Sequence, residues 1–152
     1  MANELSSAGV LLKYAVESTS GTKPSSFTQL PGAVEIPDMN EAPAQLDCTD
    51  LSDQSYRRYI PGLKDTGGSL AFRFNLTTAF ETAWNTLVSA AETGKAADKS
   101  TWFEVMVPNF KSFYFTGMPS ALGMTGFGVD EVLQVDAYIT ANSVEGWDTS
   151  ST

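Results

Sequence analysis

The sequence predicts a mainly β domain: an antiparallel β-sandwich or open barrel with one flanking α-helix. Three observations carry this. Most apolar runs alternate with polar residues at a period of two, the period of a strand with one buried face. Only one stretch repeats at helical spacing. The segments between are short and rich in Gly, Pro, Ser and Thr, which break regular structure.

Gly9–Glu17 is the first apolar run, with Val10, Leu11, Leu12, Tyr14 and Val16. Glu17–Ser26 collects Ser, Thr, Gly21 and Pro24 and reads as a loop. Phe27–Met39 is broken by Pro31, Gly32 and Pro37, which suits an irregular or edge segment. In Ala44–Asp50, Leu46 and Cys48 alternate with Gln45, Asp47 and Thr49, giving one buried and one wet face. Asp50–Gly68 is long, charged and tyrosine-bearing, and connections of that length inside a domain are usually functional. In Gly68–Leu76, Leu70, Phe72, Phe74 and Leu76 oppose Ser69, Ala71, Arg73 and Asn75.

The helix follows. Thr78 is placed to cap it, with Glu81 completing a capping box. Phe80, Trp84, Leu87 and Ala91 form its packing face, and Gly94 is placed to end it in a left-handed conformation. Lys95–Ser100 is the exit loop. Thr101–Val107 and Lys111–Gly117 flank Pro108-Asn109-Phe110 as a hairpin. A glycine-rich crossing, Pro119–Gly128, leads into a last strand, Gly128–Thr140, where Leu133, Val135, Ala137 and Ile139 oppose Asp130, Gln134, Asp136 and Thr140. The domain is thus placed at 9–141, between polar arms at 1–8 and 142–152 that order only when a partner holds them.

Composition narrows the function. The chain has 152 residues, nine Lys+Arg against eighteen Asp+Glu, no His and one cysteine, Cys48. Without His there is no Ser-His-Asp triad, no Cys-His pair and no imidazole ligand. A lone cysteine forms no internal disulfide and no CxxC site, so Cys48 is expected as a small buried thiol. A net charge of −9 opposes the counterion replacement by which nucleic acid is gripped, and opposes attraction to anionic membranes. Met1–Ser7 has acid and polar residues where a signal peptide has a basic start and an apolar stretch, so folding in a cytoplasm is expected.

The acidic residues Asp38, Glu41, Asp47, Asp50 and Asp53 lack the ligand order and central glycine of an EF-hand and read as a solvated loop. A glycosidase pair needs two carboxyls facing across a cleft, which the spacing of Asp47 with Asp50 or of Asp130 with Asp136 does not establish; Asp130 and Asp136 share a strand face in this reading, and a solvated face is expected. No catalytic residue, metal or cofactor is therefore assigned. The Tyr56-Arg57-Arg58-Tyr59 cluster combines residue types enriched at protein–protein contacts, and the acidic balance of the chain favours that use over base stacking. Trp102, Met106, Tyr114, Met118, Leu122, Met124 and Phe127 exceed what the core needs, which points to a partner surface.

The order of these segments resembles the major tail tube proteins of long-tailed, siphovirus-type bacteriophages. The likeness runs through Gly9–Glu17, Thr28-Gln29-Leu30-Pro31-Gly32, Glu35-Ile36-Pro37-Asp38-Met39, Thr49-Asp50-Leu51-Ser52-Asp53, Arg58-Tyr59-Ile60-Pro61-Gly62-Leu63-Lys64-Asp65, the Gly67–Leu76 strand and the Trp84 helix. The resemblance implies hexameric rings that stack into a hollow tube, with sheets joining into one β-barrel around a lumen through which genome DNA is ejected. It implies a virion protein, assembled in a host bacterial cytoplasm, whose partners are its own copies, a tape-measure protein and tail terminator and tip proteins. The loop at 50–68 becomes an assembly loop carrying Tyr56, Arg57, Arg58, Tyr59, Lys64 and Asp65. Asp130, Gln134, Asp136, Asp47 and Asn75 become lumen-facing, with Arg73 in an intersubunit ion pair. An acidic wall repels phosphate, so DNA passes without specific binding. The alternative is a carbohydrate-binding or adhesin-like β-sandwich module using Trp102, Tyr114 or Trp147.

Overall fold

A computed structural model describes residues 4–39, 44–63 and 68–151. The described residues form nine strands and one helix: β1 (Leu11–Val16), β2 (Thr28–Leu30), β3 (Ala33–Glu35), β4 (Gln45–Asp47), β5 (Tyr59–Pro61), β6 (Ser69–Asn75), α1 (Thr78–Ala96), β7 (Thr101–Met106), β8 (Ser112–Pro119) and β9 (Gln134–Asp148). Seven strands form one antiparallel, barrel-like sheet in the order β2-β1-β7-β8-β9-β6-β3. β4 and β5 form a separate two-stranded ribbon.

The barrel is nearly closed, and its two edges are neighbours in the chain. β2 and β3 lie at opposite ends of the strand order, yet only Pro31 and Gly32 separate them. Gly32 supplies the left-handed φ of 81° that this corner requires. Both edge strands have three residues, which limits the exposed backbone an edge offers to other chains.

Period-two alternation builds the core. Leu70, Phe72 and Phe74 on β6 and Val135, Ala137 and Ile139 on β9 point inward, where they meet Leu12, Leu30, Phe103, Val105 and Phe115. The same core contains Phe80, Trp84 and Leu87 of α1, so the helix packs on the concave face of the sheet. Phe74 stacks on Phe80 at 4.4 Å between ring centroids, and Phe103 on Phe115 at 5.2 Å. The Trp84 indole N–H donates to the Ser120 carbonyl at 2.8 Å, satisfying the one polar group of a fully buried ring.

Both helix ends differ from expectation. The N-cap is Thr77, not Thr78: its Oγ1 accepts from the Phe80 amide at 3.2 Å. The Leu76 amide still donates to the Leu133 carbonyl, so Thr77 is the last extended residue before the helix and takes the cap; Glu81 then lies one position too late for a capping box. Gly94 does not end the helix. It is buried within it, where a Cβ would approach Val16 Cγ1 to 2.8 Å and the Lys99 carbonyl to 3.2 Å. Its missing side chain lets α1 lie close to β1. The turn-off falls to Asp98, at φ 58°, with Lys99 N–H donating to Gly94 and Asp98 N–H to Lys95, a Schellman pattern.

The last strand is displaced toward higher numbers. Residues 120–133 are irregular, and β9 begins at Gln134. Asp130 has φ 60° in a turn and shares no strand face with Gln134 and Asp136. At its far end β9 runs to Asp148, so residues 142–148 are not an arm: they pair with β8 through Asp148↔Ser112, Trp147↔Phe113 and Val144↔Phe115. The ladder to β8, rather than burial, makes this stretch a strand, since Val144 and Trp147 stay exposed.

Candidate functional site

The ribbon is the first unusual surface. β4 pairs with β5 through Gln45↔Pro61, Leu46↔Ile60 and Asp47↔Tyr59. Among the described elements these two strands pack appreciably only on each other. The buried face expected for Ala44–Asp50 is absent, because the partner strand lies within the 50–68 segment and, among the described residues, no third layer covers the pair. Leu46 and Ile60 are 53% and 50% exposed, Leu51, Tyr56, Tyr59 and Leu63 are exposed as well, and Cys48 is half-buried rather than buried.

The ribbon tip is held by its own charges. Asp47 and Asp50 each accept an amide two residues on, from Thr49 at 2.9 Å and Ser52 at 2.8 Å. Arg57 pairs with Asp47 at 3.2 Å; Arg58 pairs with Asp53 at 2.8 Å and Asp50 at 3.2 Å. The Thr49 hydroxyl and amide first, then Arg57, hold the Asp47 carboxyl below its ordinary range. Arg57 and Arg58 therefore spend their charge inside this chain, and the groups left free for a partner are the apolar and tyrosine side chains. Lys64 and Asp65 lie outside the described residues.

The second surface is the outward face of β6 and β9. Asn75 sits opposite Gln134, Arg73 opposite Asp136, and Ser69 opposite Thr140. Arg73 is not free for an intersubunit pair: its Nε donates to Asp136 at 3.2 Å, and Glu35 of β3 lies 3.8 Å away. The structure thus gathers Asn75, Gln134 and Asp136, while Asp47 sits on the ribbon and Asp130 in the turn before β9. Beside them the irregular segment exposes Met124, Phe127, Val129, Val132 and Leu133 and lines a shallow groove that includes Arg73 and Asp136.

Trp102 and Tyr114 are 8% and 1% exposed and offer no aromatic platform; Trp147 is exposed and packs edge-on against Phe110 and Phe113. Of the other apolar residues in apparent excess, Met106, Met118 and Leu122 are half-buried, whereas Met124 and Phe127 are exposed.

Two buried acids escaped notice in the sequence. Glu17 accepts from the Ser100 amide at 2.7 Å and the Trp102 indole at 2.9 Å, tying β1 to the exit of α1. Glu104 is wholly buried, and Ser151 and Tyr114 donate to it. Its signal was present: a charge inside Trp102-Phe103-Glu104-Val105-Met106 must either face water or find partners. Burial pushes the Glu104 carboxyl up, but hydrogen bonds from Ser112, Ser151 and Tyr114 outweigh it and hold the group below its ordinary 4.5. A carboxylate depressed in the folded state contributes stability that is present above 4.5 and lost as the pH falls through its folded value. Tyr114 is pushed up to about 12, first by burial and then by Glu104, so its contribution is present below pH 10 and lost between pH 10 and about 12. Thermal midpoints measured against pH are expected to fall at both ends, with the acid limb shallower in Glu104→Gln. An unchanged acid limb in that variant would assign the loss to other carboxylates.

Among the described residues no three acidic or thiol side chains gather as a metal would need, and no helix is long and apolar enough to cross a membrane. The chain matches no protein-family model, and comparison with curated proteins finds no relative.

Proposed function

We propose that this chain is a structural subunit that assembles with its own copies into stacked rings forming a hollow tube, as the resemblance to phage tail tube proteins implies. One observation carries the proposal: the β4–β5 ribbon stands off the barrel with both strands exposed and Leu46, Ile60, Tyr56 and Tyr59 facing solvent. A two-stranded ribbon is marginal alone in water and gains stability by packing on a further surface. Where such a projecting contact meets a different face of the next subunit, the geometry is heterologous, the kind that closes rings or continues along an axis. Asn75, Gln134 and Asp136 would then face the lumen, where a chain of net charge −9 presents no phosphate-gripping wall to passing DNA. In this role the chain carries no catalytic residue or cofactor, and it works in a virion with tape-measure, terminator and tip proteins.

The test is electron microscopy of the purified protein across a concentration series, with sedimentation in parallel. Rings or tubes of uniform diameter are expected. Monomers at every concentration and salt would overturn the proposal.

A further inference from the structure

Glu104 lies in the middle of β7 on the face turned away from the core, beside Lys13 of β1 and Tyr114 of β8 in the strand register. A sheet face of this kind ordinarily leaves its carboxylate in water. Here residues Thr149–Ser151, which follow β9, fold back over it as a strap. The Ser151 amide donates to Glu104 Oε2 at 2.9 Å, and the Ser151 hydroxyl to Oε1 at 2.5 Å. One carboxylate thus takes both donors of one serine. The Tyr114 hydroxyl lies 3.0 Å from Glu104 Oε2 and 2.6 Å from the Thr149 carbonyl, and shares its single proton between them. The Ser112 and Ser150 hydroxyls are 2.8 Å apart. Lys23 closes the side, 3.5 Å from the Tyr114 ring centroid and paired with Asp148 at 3.1 Å.

Every named contact between strap and seat is polar, while the strap residues themselves remain exposed or half-exposed. The seat is the opposite: Glu104 and Ser112 have no exposure. Removing the strap would take both Ser151 donors from a preformed carboxylate and leave it only those of the seat, an unfavourable state that calls for replacement. The ladder to β8 ends at Asp148↔Ser112, so Thr149–Ser151 lie beyond the last strand pair and are held to the seat by these side-chain and amide contacts. An identical segment from another molecule would restore each bond without new chemistry, the condition under which segment exchange is cheap.

We propose that Glu104, Tyr114 and Ser112 form a binding seat for an extended, serine-bearing peptide segment, and that in concentrated protein the seat takes Thr149–Ser151 of a second copy in place of its own. The seat reads an amide and a hydroxyl on one residue, so the ligand class is a chain with serine at the position of Ser151. Exchange links copies through β7 and β8, a different part of the molecule from the ribbon, and it does not require tubes.

Disulfide trapping in full-length chains tests this. In a Cys48→Ala background, one chain carries Ser112→Cys, a second carries Ser150→Cys and a third carries both. Hydroxyls 2.8 Å apart place these side chains within reach of a disulfide. On dilute oxidation the double variant is expected to close within one chain. On concentrated mixing, the two single variants are expected to yield a crosslinked dimer, since Ser112 is reached only after its own strap has left. A chain with Glu92→Cys, an exposed helix position, replaces the Ser112→Cys chain as the collision control and is expected to give at most a tenth of that yield. Internal closure without mixed dimer would show that the strap stays home and would overturn exchange. Failure of the double variant to close would overturn the seat itself, and a control yield equal to the mixture would reduce the dimer to collision. Tubes without mixed dimer leave the assembly proposal standing alone; mixed dimer without tubes does the reverse.

Discussion

Replacing Leu46 with aspartate and Ile60 with lysine in one chain is expected to abolish ring and tube formation while the barrel stays folded. The two residues face each other across the ribbon and are about half exposed. Opposite charges at a cross-strand pair preserve the ribbon, where two like charges would split it. What they remove is an apolar surface that a neighbouring subunit would desolvate, and they add two charges whose burial is strongly unfavourable. Because β4 and β5 pack appreciably only on each other, the change in unfolding free energy is expected to stay within about 0.5 kcal/mol, the usual range for surface sites. Sedimentation at a concentration where the parent chain forms tubes should show monomer. Tubes of normal length would move the contact elsewhere on the subunit. Charge reversal at Arg57 and Arg58 is a poorer probe, because their pairs with Asp47, Asp50 and Asp53 hold the tip together and the change would distort it directly.

Trp84→Ala is expected to have the largest effect on stability. Trp84 has no solvent exposure, lies 5.9 Å from Phe80 and 6.1 Å from Phe74 between ring centroids, and anchors the irregular segment after β8 through Ser120. Truncating such a ring removes the transfer free energy of its atoms and leaves a cavity, at a cost of about 3–5 kcal/mol. It also leaves the Ser120 carbonyl short of a donor. For a chain of this length that corresponds to a fall in midpoint on the order of 10 °C. Chemical denaturation with an unchanged slope would confirm a loss of packing alone, and a loss below about 1 kcal/mol would mean that the helix is not seated as described.

The fold class was legible because alternation is a local signal. Leu70, Phe72 and Phe74 announce a one-faced strand in any context that offers a core, and the Phe80–Trp84–Leu87–Ala91 spacing announces a helix in the same way. What failed was whatever depends on a distant partner. Gly94 reads as a terminator in sequence, but Val16 makes it a contact point inside the helix. Asn142–Asp148 reads as a tail, because the ladder that makes it a strand belongs to β8. The ribbon shows the converse. Leu46 alternates as a core residue does, yet its strand partner is Ile60, itself exposed, and no layer of the described residues lies beneath. Among the site residues, Tyr56, Arg57, Arg58 and Tyr59 stay together because they are neighbours in the chain. Asp130 parts from Asp136 because the strand read for both starts only at Gln134, and Asp47, a lumen candidate through the resemblance, lies on the ribbon.

The two-residue corner at Pro31–Gly32 has a consequence for how the molecule comes apart. Edge strands of three residues ordinarily fray independently, each with its own local opening equilibrium. Here the two edges are β2 and β3, and the corner couples them. Peeling β2 from β1 pulls on β3, whose loss uncovers β6. Fraying at either margin therefore recruits the other, and the sheet has one cooperative boundary where its strand order shows two.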